Sequence, residues 1–369
     1  MRLKSAVGFI GPLPPPVHGF SEINKKMTQA LSRSYDVELF NTAPSDNFVR
    51  AIWNWIRFVF YVFKRRPKSI YLGFSGGTRQ WVDAAYLAVA NFGKVPVFIH
   101  HHSFSYLNEN LLRTRVCFQI AKKATHIVLC DCMKDELSKN YAVPASAIRV
   151  LSNVAFLSEI RAPLKPSVIS ETIRIGFLSN ITEGKGIFEF LTVLQESPKH
   201  GVNLFGIIAG PVHASVQQSF DLGLKATANA EHIGAVYGEA KQSFFSAIDV
   251  LLFPTKLNEG EPVTILEAFG NGVPVIAFSR GCIGSMVPEN AGATLTYSED
   301  FVAKVMEALR RLAGTPALLC EARQAARATF EEGFASNKEI LNNLIAEIGG
   351  VFIPSLSEQN VRPSTPKGL

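Results

Sequence analysis

Two kinds of hydrophobic pattern alternate along the chain. Short runs of consecutive apolar residues, bounded by glycine, proline and polar residues, are typical of buried strands. Between them apolar residues recur every three or four positions, as Ile23, Met27 and Leu31 do, which indicates helices with one buried face. The predicted strands span residues 6–10, 35–40, 69–74, 95–102, 124–130, 149–153, 173–178, 204–209, 250–253 and 273–278. The predicted helices span residues 21–31, 48–66, 133–140, 187–195, 241–248, 262–269, 301–312, 316–329 and 337–348.

This alternation predicts an α/β protein built on doubly wound parallel sheets. With 369 residues the chain is too long for one ordinary core, and the strand–helix pattern restarts at residue 173. We therefore predict a first domain over residues 1–160, a linker over 161–172 and a second domain over 173–335. A last helix falls within residues 336–352, and the polar, proline-bearing residues 353–369 are expected to be disordered.

Composition narrows the class of protein. Hydrophobic residues make up 47% of the chain and charged residues 18%, which excludes disorder of the whole chain. The formal net charge of +6 fits a diphosphate ligand or an anionic membrane surface, and gives little support for a nucleic acid partner. The five cysteines lack the spacing of a disulfide framework or a zinc site, so a reducing compartment is expected. The pattern contains no signal peptide and no spanning segment, so we expect a cytoplasmic location, with peripheral contact at the inner face of the cell membrane as an option.

The predicted helix over residues 48–66 is long and rich in aromatic residues. Arg50, Arg57 and Lys64 recur at seven-residue intervals and therefore share one face of this helix. A core helix with a basic solvent face would show this pattern, and so would a helix that lies in the interface of an anionic membrane. The two interpretations are compatible, and both stay open.

The stretch over residues 250–279 combines a strand, a polar loop, a helix and a second strand. Pro262 suits the first helical turn, because the amide that proline lacks would have no intrahelical partner there. Glu259 lies in the loop, and Glu267 lies on the helix about 7.5 Å of helix rise beyond Pro262. The two carboxylates can therefore contact different parts of one elongated ligand. The helix start at Pro262 and Val263, which lies between them, is a natural site for an anion.

These residues closely resemble the E-x7-E region of retaining GT-B glycosyltransferases of family 4, the group 1 glycosyltransferases. The motif reads Glu-Gly-Glu-Pro at residues 259–262 and Leu-Glu-Ala at residues 266–268. Glu261 replaces the apolar residue that is usual in the family. Near the start of the second domain, Lys185 and its following glycine match the family's Gly-Arg-Leu-x-x-x-Lys-Gly pattern, in which Asn180 stands where arginine is frequent.

Four further residues match the family pattern by position. Gly19 ends a PP-x-x-G loop after the first strand, and Gly210 follows the strand over residues 204–209. Val236 lies in the stretch that borders the nucleotide base in relatives, often through backbone groups. His102 stands at the end of the strand over residues 95–102, where the family carries a histidine, and His101 is its nearest competitor.

The resemblance implies the GT-B architecture, with two Rossmann-like doubly wound domains facing across a cleft and a last helix that crosses back onto the first domain. It implies retaining transfer, without a metal or other cofactor, from a nucleotide-diphosphate sugar to a glycan or lipid-linked acceptor. Cell-surface polysaccharide synthesis is the expected context. The implied catalytic residues are Glu259, His102 and Lys185. The implied donor-binding residues are Gly19, Asn180, Lys185, Gly210, Val236, Glu259, Pro262, Val263 and Glu267.

Other functions stay open. A GT-B epimerase would act on a nucleotide sugar without an acceptor, and a non-catalytic partner in a glycosylation complex would only bind it. The departures from the family pattern at Asn180 and Glu261 are the support for this non-catalytic function. A Rossmann oxidoreductase is disfavoured, because no G-x-G-x-x-G follows a predicted strand.

Overall fold

The computed structural model describes residues 4–15, 19–43, 48–159, 163–164 and 171–351. The described chain contains two parallel sheets of six strands each. The first sheet has the order β2-β1-β3-β4-β5-β6 and the second has the order β12-β11-β10-β7-β8-β9. The strands of the first sheet are β1 (Ala6–Gly11), β2 (Asp36–Asn41), β3 (Ser69–Phe74), β4 (Val97–His101), β5 (Thr125–Val128) and β6 (Ile148–Val150). The strands of the second are β7 (Ile173–Leu178), β8 (Leu204–Ala209), β9 (Ala230–His232), β10 (Val250–Phe253), β11 (Val275–Phe278) and β12 (Gly292–Leu295).

Helices connect these strands throughout. Those associated with the first sheet are α1 (Gly19–Ser34), α2 (Phe48–Phe60), α3 (Gln80–Phe92), α4 (Leu112–Ile120) and α5 (Asp131–Tyr141). The later ones are α6 (Ile187–Glu196), α7 (Gln217–Lys225), α8 (Gly238–Ala247), α9 (Val263–Gly270), α10 (Ile283–Met286), α11 (Phe301–Ala313) and α12 (Pro316–Ile348). The hydrophobic pattern did not predict α3, α4, α7 or the short α10, nor the strands β9 and β12. On α7 the reason is plain, because Phe220 is its one fully buried residue and leaves no periodic signal.

The last helix differs from its prediction. The sequence favoured separate helices over residues 316–329 and 337–348, but α12 runs without a break for 33 residues. The polar, glycine-containing segment between the two predicted helices contains no proline, so no backbone amide is missing from the helix there. Phe330 and Phe334 stack within this segment, with their ring centroids 5.7 Å apart. This contact between side chains one turn apart stabilises the helix across the segment between the two predicted helices.

The chain divides into two compact units. The first comprises the residues up to His100, the segment Leu112–Ile127 and the chain from Lys338 onward; the second comprises His101–Leu111 and Val128–Asn337. Of the predicted linker, only residues 163–164 and 171–172 are described, and the predicted disordered tail lies outside the described residues. Within the described ranges, no helix has both the length and the apolar character needed to cross a bilayer.

The core of the second unit lies on both faces of its sheet. Val250 and Leu252 of β10 pack into one buried cluster with α6 and α11, while Leu251 and Phe253 pack into another with α8 and α9. Because both faces of the strand are covered, its sequence reads as a continuous apolar run. The strand predicted over residues 250–253 is confirmed at both ends.

In the first unit, α2 continues into a π-helical turn over Tyr61–Arg65, which accounts for the length of the helix predicted over residues 48–66. Its inner face is aromatic: Phe58 and Tyr61 are buried, and their rings lie 5.0 and 5.3 Å from that of Phe40. Its outer face carries large apolar side chains that no part of the described chain covers, among them Trp53 and Phe60. The core packing expected of this helix is therefore present on one face only.

Candidate functional site

Lys185 and Glu259 form an ion pair in the second unit. The Lys185 Nζ donates to Glu259 Oε1, and the Thr255 hydroxyl lies 3.4 Å from the same oxygen. Both side chains are partly buried, with about a quarter and a fifth of their surface exposed. Lys185 follows strand β7 and Glu259 follows strand β10, which are parallel neighbours, so both lie beyond the carboxyl ends of the strands, where α/β folds bind ligands.

Glycine at position 186 explains how Lys185 comes so close to the end of β10. The Thr182 hydroxyl accepts a hydrogen bond of 3.3 Å from the Lys185 amide and caps the short turn that carries the lysine. Gly186 then adopts φ +82°, and a Cβ there would lie 1.9 Å from the carbonyl oxygen of Pro254. Only glycine permits this approach, which brings the loop after β7 against the loop after β10.

The backbone of Glu259 is held from its other side by the loop that follows β11. Glu259 pairs with Gly281 in an isolated parallel bridge, and the Cys282 amide donates to the Glu259 carbonyl oxygen at 2.9 Å. Gly281 has φ +62°, and a Cβ there would lie 2.2 Å from that carbonyl oxygen. The position of Glu259 thus depends on two glycines in two different loops.

Glu267 on α9 forms a second ion pair. Both of its carboxylate oxygens accept hydrogen bonds from Lys241 Nζ on α8, at 2.8 and 3.1 Å. The sequence did not indicate Lys241, because it belongs to no motif and lies 26 residues before its partner. Helix α9 begins at Val263 with Pro262 as its N-cap, so the predicted helix start is one residue early.

Glu261 makes a different set of contacts from its two neighbouring glutamates. Its carboxylate accepts hydrogen bonds from the Ser152 hydroxyl at 2.6 Å and from the Asn153 amide at 2.5 Å. Its carbonyl oxygen accepts a third from the Asn153 side-chain amide at 3.1 Å. Burial raises the pKa of this carboxyl to about 7, against the opposing effect of the two donors. Glu261 therefore fastens the start of α9 to residues 152–153, a contact that the sequence did not indicate.

The three consecutive histidines have distinct surroundings. His100 and His101 are fully buried; a ring nitrogen of each bonds a tyrosine hydroxyl, that of Tyr71 for His100 and that of Tyr106 for His101, the latter at 2.9 Å. His102 is half-buried, and burial lowers its pKa to about 3, so its imidazole is neutral at physiological pH. Of the three, His102 has the most surface available for a ligand.

The remaining predicted residues fall into two groups. Gly210 has φ +137°, and a Cβ there would lie 1.8 Å from the Ser179 carbonyl oxygen, so the backbone requires glycine. The Val236 side chain belongs to a buried cluster, which leaves its backbone as the part able to contact a ligand. Asn180 is exposed, and so is Gly19, where an added Cβ would meet no atom within 4 Å. The structure brings Lys185 and Glu259 into contact and shows no packing requirement for glycine at position 19.

Two cysteines correct an expectation from the sequence. Cys132 and Cys282 form a disulfide across 150 residues of chain, with their Cα atoms 5.7 Å apart. The spacing argument failed because the pairing depends on the fold: Cys132 lies in the first turn of α5, and Cys282 directly precedes α10. No local sequence pattern marks such a pair.

Comparison with known proteins agrees with the fold and the motifs. Residues 164–327 match the family model described as glycosyl transferases group 1. No curated protein matches the chain. Among solved structures, HepE of Anabaena in complex with UDP and glucose has a TM-score of 0.67 at 14% identity, over 93% of this chain and 100% of that one.

Two further structures have similar scores. The lipopolysaccharide outer core galactosyltransferase WaaB has a TM-score of 0.69 at 14% identity, over 93% of this chain and 99% of that one. Sucrose-phosphate synthase of Thermosynechococcus elongatus has a TM-score of 0.70 at 14% identity, over 94% and 100%. The fold is therefore that of GT-B glycosyltransferases, and the match to the group 1 family model covers residues 164–327, less than half of the chain.

Proposed function

We propose that this protein is a retaining, metal-independent glycosyltransferase of family 4. It moves a sugar from a nucleotide-diphosphate sugar to a glycan or lipid-linked acceptor, in cell-surface polysaccharide synthesis. The observation that carries the proposal is the ion pair of Lys185 and Glu259 beyond the carboxyl ends of β7 and β10. It supplies a cation for a diphosphate and a carboxylate for sugar hydroxyls within one hydrogen-bond length of each other.

Donor binding would replace the contact between these two side chains. The Lys185 ammonium would move to the diphosphate and stabilise the charge that develops as the bond between the sugar and the phosphate oxygen breaks. Glu259 would then accept hydrogen bonds from sugar hydroxyls. Neither residue need act as a general base. Because both are partly buried, their interactions with the donor would be screened less than those at a fully exposed site.

Glu267 is proposed to bind the ribose hydroxyls of the donor. An ionised carboxylate can accept hydrogen bonds from two neighbouring hydroxyls, and Glu267 already accepts two from Lys241. In this proposal the ribose hydroxyls displace the Lys241 ammonium from Glu267 when the donor binds. His102, neutral at physiological pH, would exchange hydrogen bonds with the sugar but would carry no proton to donate as an imidazolium.

A panel of donor sugars tests this proposal. HepE has been crystallised with UDP-glucose, so UDP-glucose is the first ligand to try, followed by other UDP-, GDP- and ADP-sugars. We expect at least one of them to raise the thermal unfolding temperature, because a ligand that binds only the native state stabilises it. The enzyme proposal fails if none does. A donor that is epimerised in the absence of any acceptor would favour the epimerase instead.

The outer face of α2 and α3 supports peripheral contact with a membrane. All three tryptophans of the chain lie on these helices and are exposed, as are Phe60, Phe63 and Phe92. The rings of Phe63 and Phe92 meet at 5.9 Å, so the apolar surface runs from one helix to the other. Exposed tryptophans with nearby basic residues are typical of helices that lie in the membrane interface. We propose that this surface, called here the aromatic surface, docks on an anionic membrane.

Basic residues at the end of the aromatic surface suggest how to test this docking. Lys64 and Arg65 are exposed at the end of the helical segment, whereas Arg57 is already engaged by Glu38 and the Leu39 carbonyl. We expect the wild-type protein to float with vesicles that contain anionic lipid, and the double variant K64E/R65E to float less. Equal recovery of the wild type with and without lipid would contradict membrane docking.

A further inference from the structure

Cys282, which is bonded to Cys132, belongs to the segment whose backbone contacts hold Glu259. Gly281 pairs with Glu259, and the amide of Cys282 itself donates to the Glu259 carbonyl oxygen. The sulfur of Cys282 is bonded to Cys132 on α5, so the segment that holds Glu259 is covalently tied to that helix. A change at this disulfide therefore acts directly on the loop that carries the proposed sugar-binding carboxylate.

A third thiol lies within this cluster. The sulfur atoms of Cys130, Cys132 and Cys282 all lie within 4.8 Å of one another. Burial, together with the nearby carboxylates of Glu261 and Asp131, raises the pKa of the Cys130 thiol to about 11. A thiol with this pKa is protonated at pH 7, and the thiolate is the attacking species in exchange. The Cys130 thiol therefore does not attack the neighbouring disulfide at this pH.

The two bonded sulfurs differ in access from outside. Cys282 is 1% exposed, whereas Cys132 is half-buried in the first turn of α5. An external thiolate would therefore attack the sulfur of Cys132 and release the thiolate of Cys282, which takes up a proton. The second thiol of a dithiol reductant would then displace Cys132. The balance is one dithiol oxidised to a disulfide for one protein disulfide reduced to two thiols.

We propose that Cys132 and Cys282 form a reversible redox modification site, whose disulfide form holds the Glu259 loop in the position that binds the sugar donor. This inference rests on the proposed glycosyltransferase function. In a reducing compartment a disulfide is typically transient and regulatory, which fits a pair placed beside a ligand site. After reduction, the segment whose Cys282 amide donates a hydrogen bond to Glu259 is no longer covalently tied to α5. The loop then gains conformational freedom, which donor binding must remove.

Two measurements on the full-length protein test the site. Peptide mass spectrometry of the non-reduced protein should find Cys132 and Cys282 in one cross-linked peptide. Hydrogen exchange in the oxidised and the dithiothreitol-treated protein should show faster exchange over residues 259–283 after reduction. Absence of the cross-link overturns the proposal, and so does equal exchange of this segment in the two forms. Neither measurement needs a nucleotide sugar, so both remain decisive if no donor binds.

Donor affinity then tests the consequence. We expect oxidised wild type to bind UDP-glucose about fivefold more tightly than reduced wild type, the cost of ordering a loosened loop. C132S and C282S should match the reduced protein under both conditions. C320S, which alters a cysteine on α12 outside the cluster, should behave as wild type. Equal affinity in both forms overturns the switch, whereas binding in neither form contradicts the proposed function alone.

Metal binding is the competing role of the cluster. Three thiolates at this spacing are soft ligands that could take up zinc when the protein is reduced. The reduced protein is therefore passed through gel filtration with added zinc, and its metal content is measured. Less than a tenth of an equivalent supports the thiol switch. One equivalent of retained zinc, lost in C130S, overturns it and assigns the three cysteines to a metal site.

Discussion

The polar loops at the carboxyl ends of β7 and β10 and the aromatic surface of α2 and α3 distribute charge and apolar area in opposite ways. In these loops and on the adjacent helices, each of the two predicted carboxylates is partly buried and paired with a lysine: Glu259 with Lys185 in the loops, and Glu267 on α9 with Lys241 on α8. On the aromatic surface the large apolar side chains are exposed to solvent; Trp53 and Phe60 are each 67% exposed.

The difference separates two kinds of functional signal. Side chains of opposite charge at the strand ends pair with one another until a ligand replaces one partner. The residues present therefore indicate which ligand groups they can bind. An exposed apolar surface of this kind has no partner within the described chain and gains stability only when something covers it. The two regions should therefore fail independently when each is mutated, and Lys185→Ala and W53S/F60S test this expectation directly.

The largest effect is expected for Lys185→Ala. Loss of the cation that is proposed to stabilise the departing diphosphate should lower kcat/KM by about 10²- to 10³-fold. Vesicle flotation should stay unchanged, because the aromatic surface is intact. Lys199→Ala is the matched control, since Lys199 also pairs with a glutamate but lies on the exposed turn after α6. Wild-type turnover in Lys185→Ala would refute the diphosphate assignment.

The aromatic surface should show the reverse result. The double variant W53S/F60S removes two exposed aromatic side chains, each worth about 1.5–3 kcal/mol when buried in an apolar environment. We expect vesicle partitioning to fall by about 10², the lower end of this range, while the affinity for a free nucleotide sugar stays as in wild type. The control L222S removes an exposed leucine from α7 in the second unit. A similar loss in L222S would show that flotation does not depend on the aromatic surface.

We predict that the ionised carboxylate of Glu261, at the start of α9, lowers the stability of the folded protein. In the unfolded chain its carboxyl loses its proton near pH 4.5, but in the folded protein it does so near pH 7. The folded state therefore binds more protons between these values, and stability falls as pH rises through this window. The shift corresponds to about 2 kcal/mol once solvent screening of the half-buried side chain is allowed for.

Glu261→Gln removes this titration and keeps the shape of the side chain. Its amide can still accept from the Asn153 amide and can donate to the Ser152 hydroxyl. We expect the variant to be more stable than wild type at pH 8, with the difference vanishing near pH 4.5. Urea unfolding at several pH values measures it. Parallel stability curves for the two proteins would show that Glu261 is ionised at no cost.

The smallest effect distinguishes the two partners of the second ion pair. Glu267→Ala should weaken nucleotide binding by about tenfold, because hydrogen bonds to a charged group contribute about 1.5 kcal/mol or more. Lys241→Ala should change the affinity by no more than about twofold, since a partly exposed ion pair is worth little and the proposal has the ligand displace this lysine. Calorimetry measures both. Equal losses in the two variants would place Lys241 in the binding site itself.

Much of the fold followed from local patterns. The strands predicted over residues 69–74, 173–178, 204–209 and 250–253 have the observed bounds, because each is a parallel strand dominated by buried apolar residues. The predicted helical face of Ile23, Met27 and Leu31 is buried. The pattern was weaker where packing overrides local preference, as in α7 and in the unbroken course of α12.

The sequence by itself determined the candidate carboxylates, the lysine before Gly186 and the parallel sheets, since these depend on residues that are close together in the chain. Only the tertiary structure decided which side chains meet. The pairs Lys241 with Glu267, Glu261 with Ser152 and Cys132 with Cys282 join residues 26, 109 and 150 positions apart. No local pattern encodes them, because each arises where two loops or helices, fixed by burial elsewhere, bring their ends together. The aromatic surface illustrates the same limit: the helix was evident in the sequence, but which of its faces stays outside was fixed by packing.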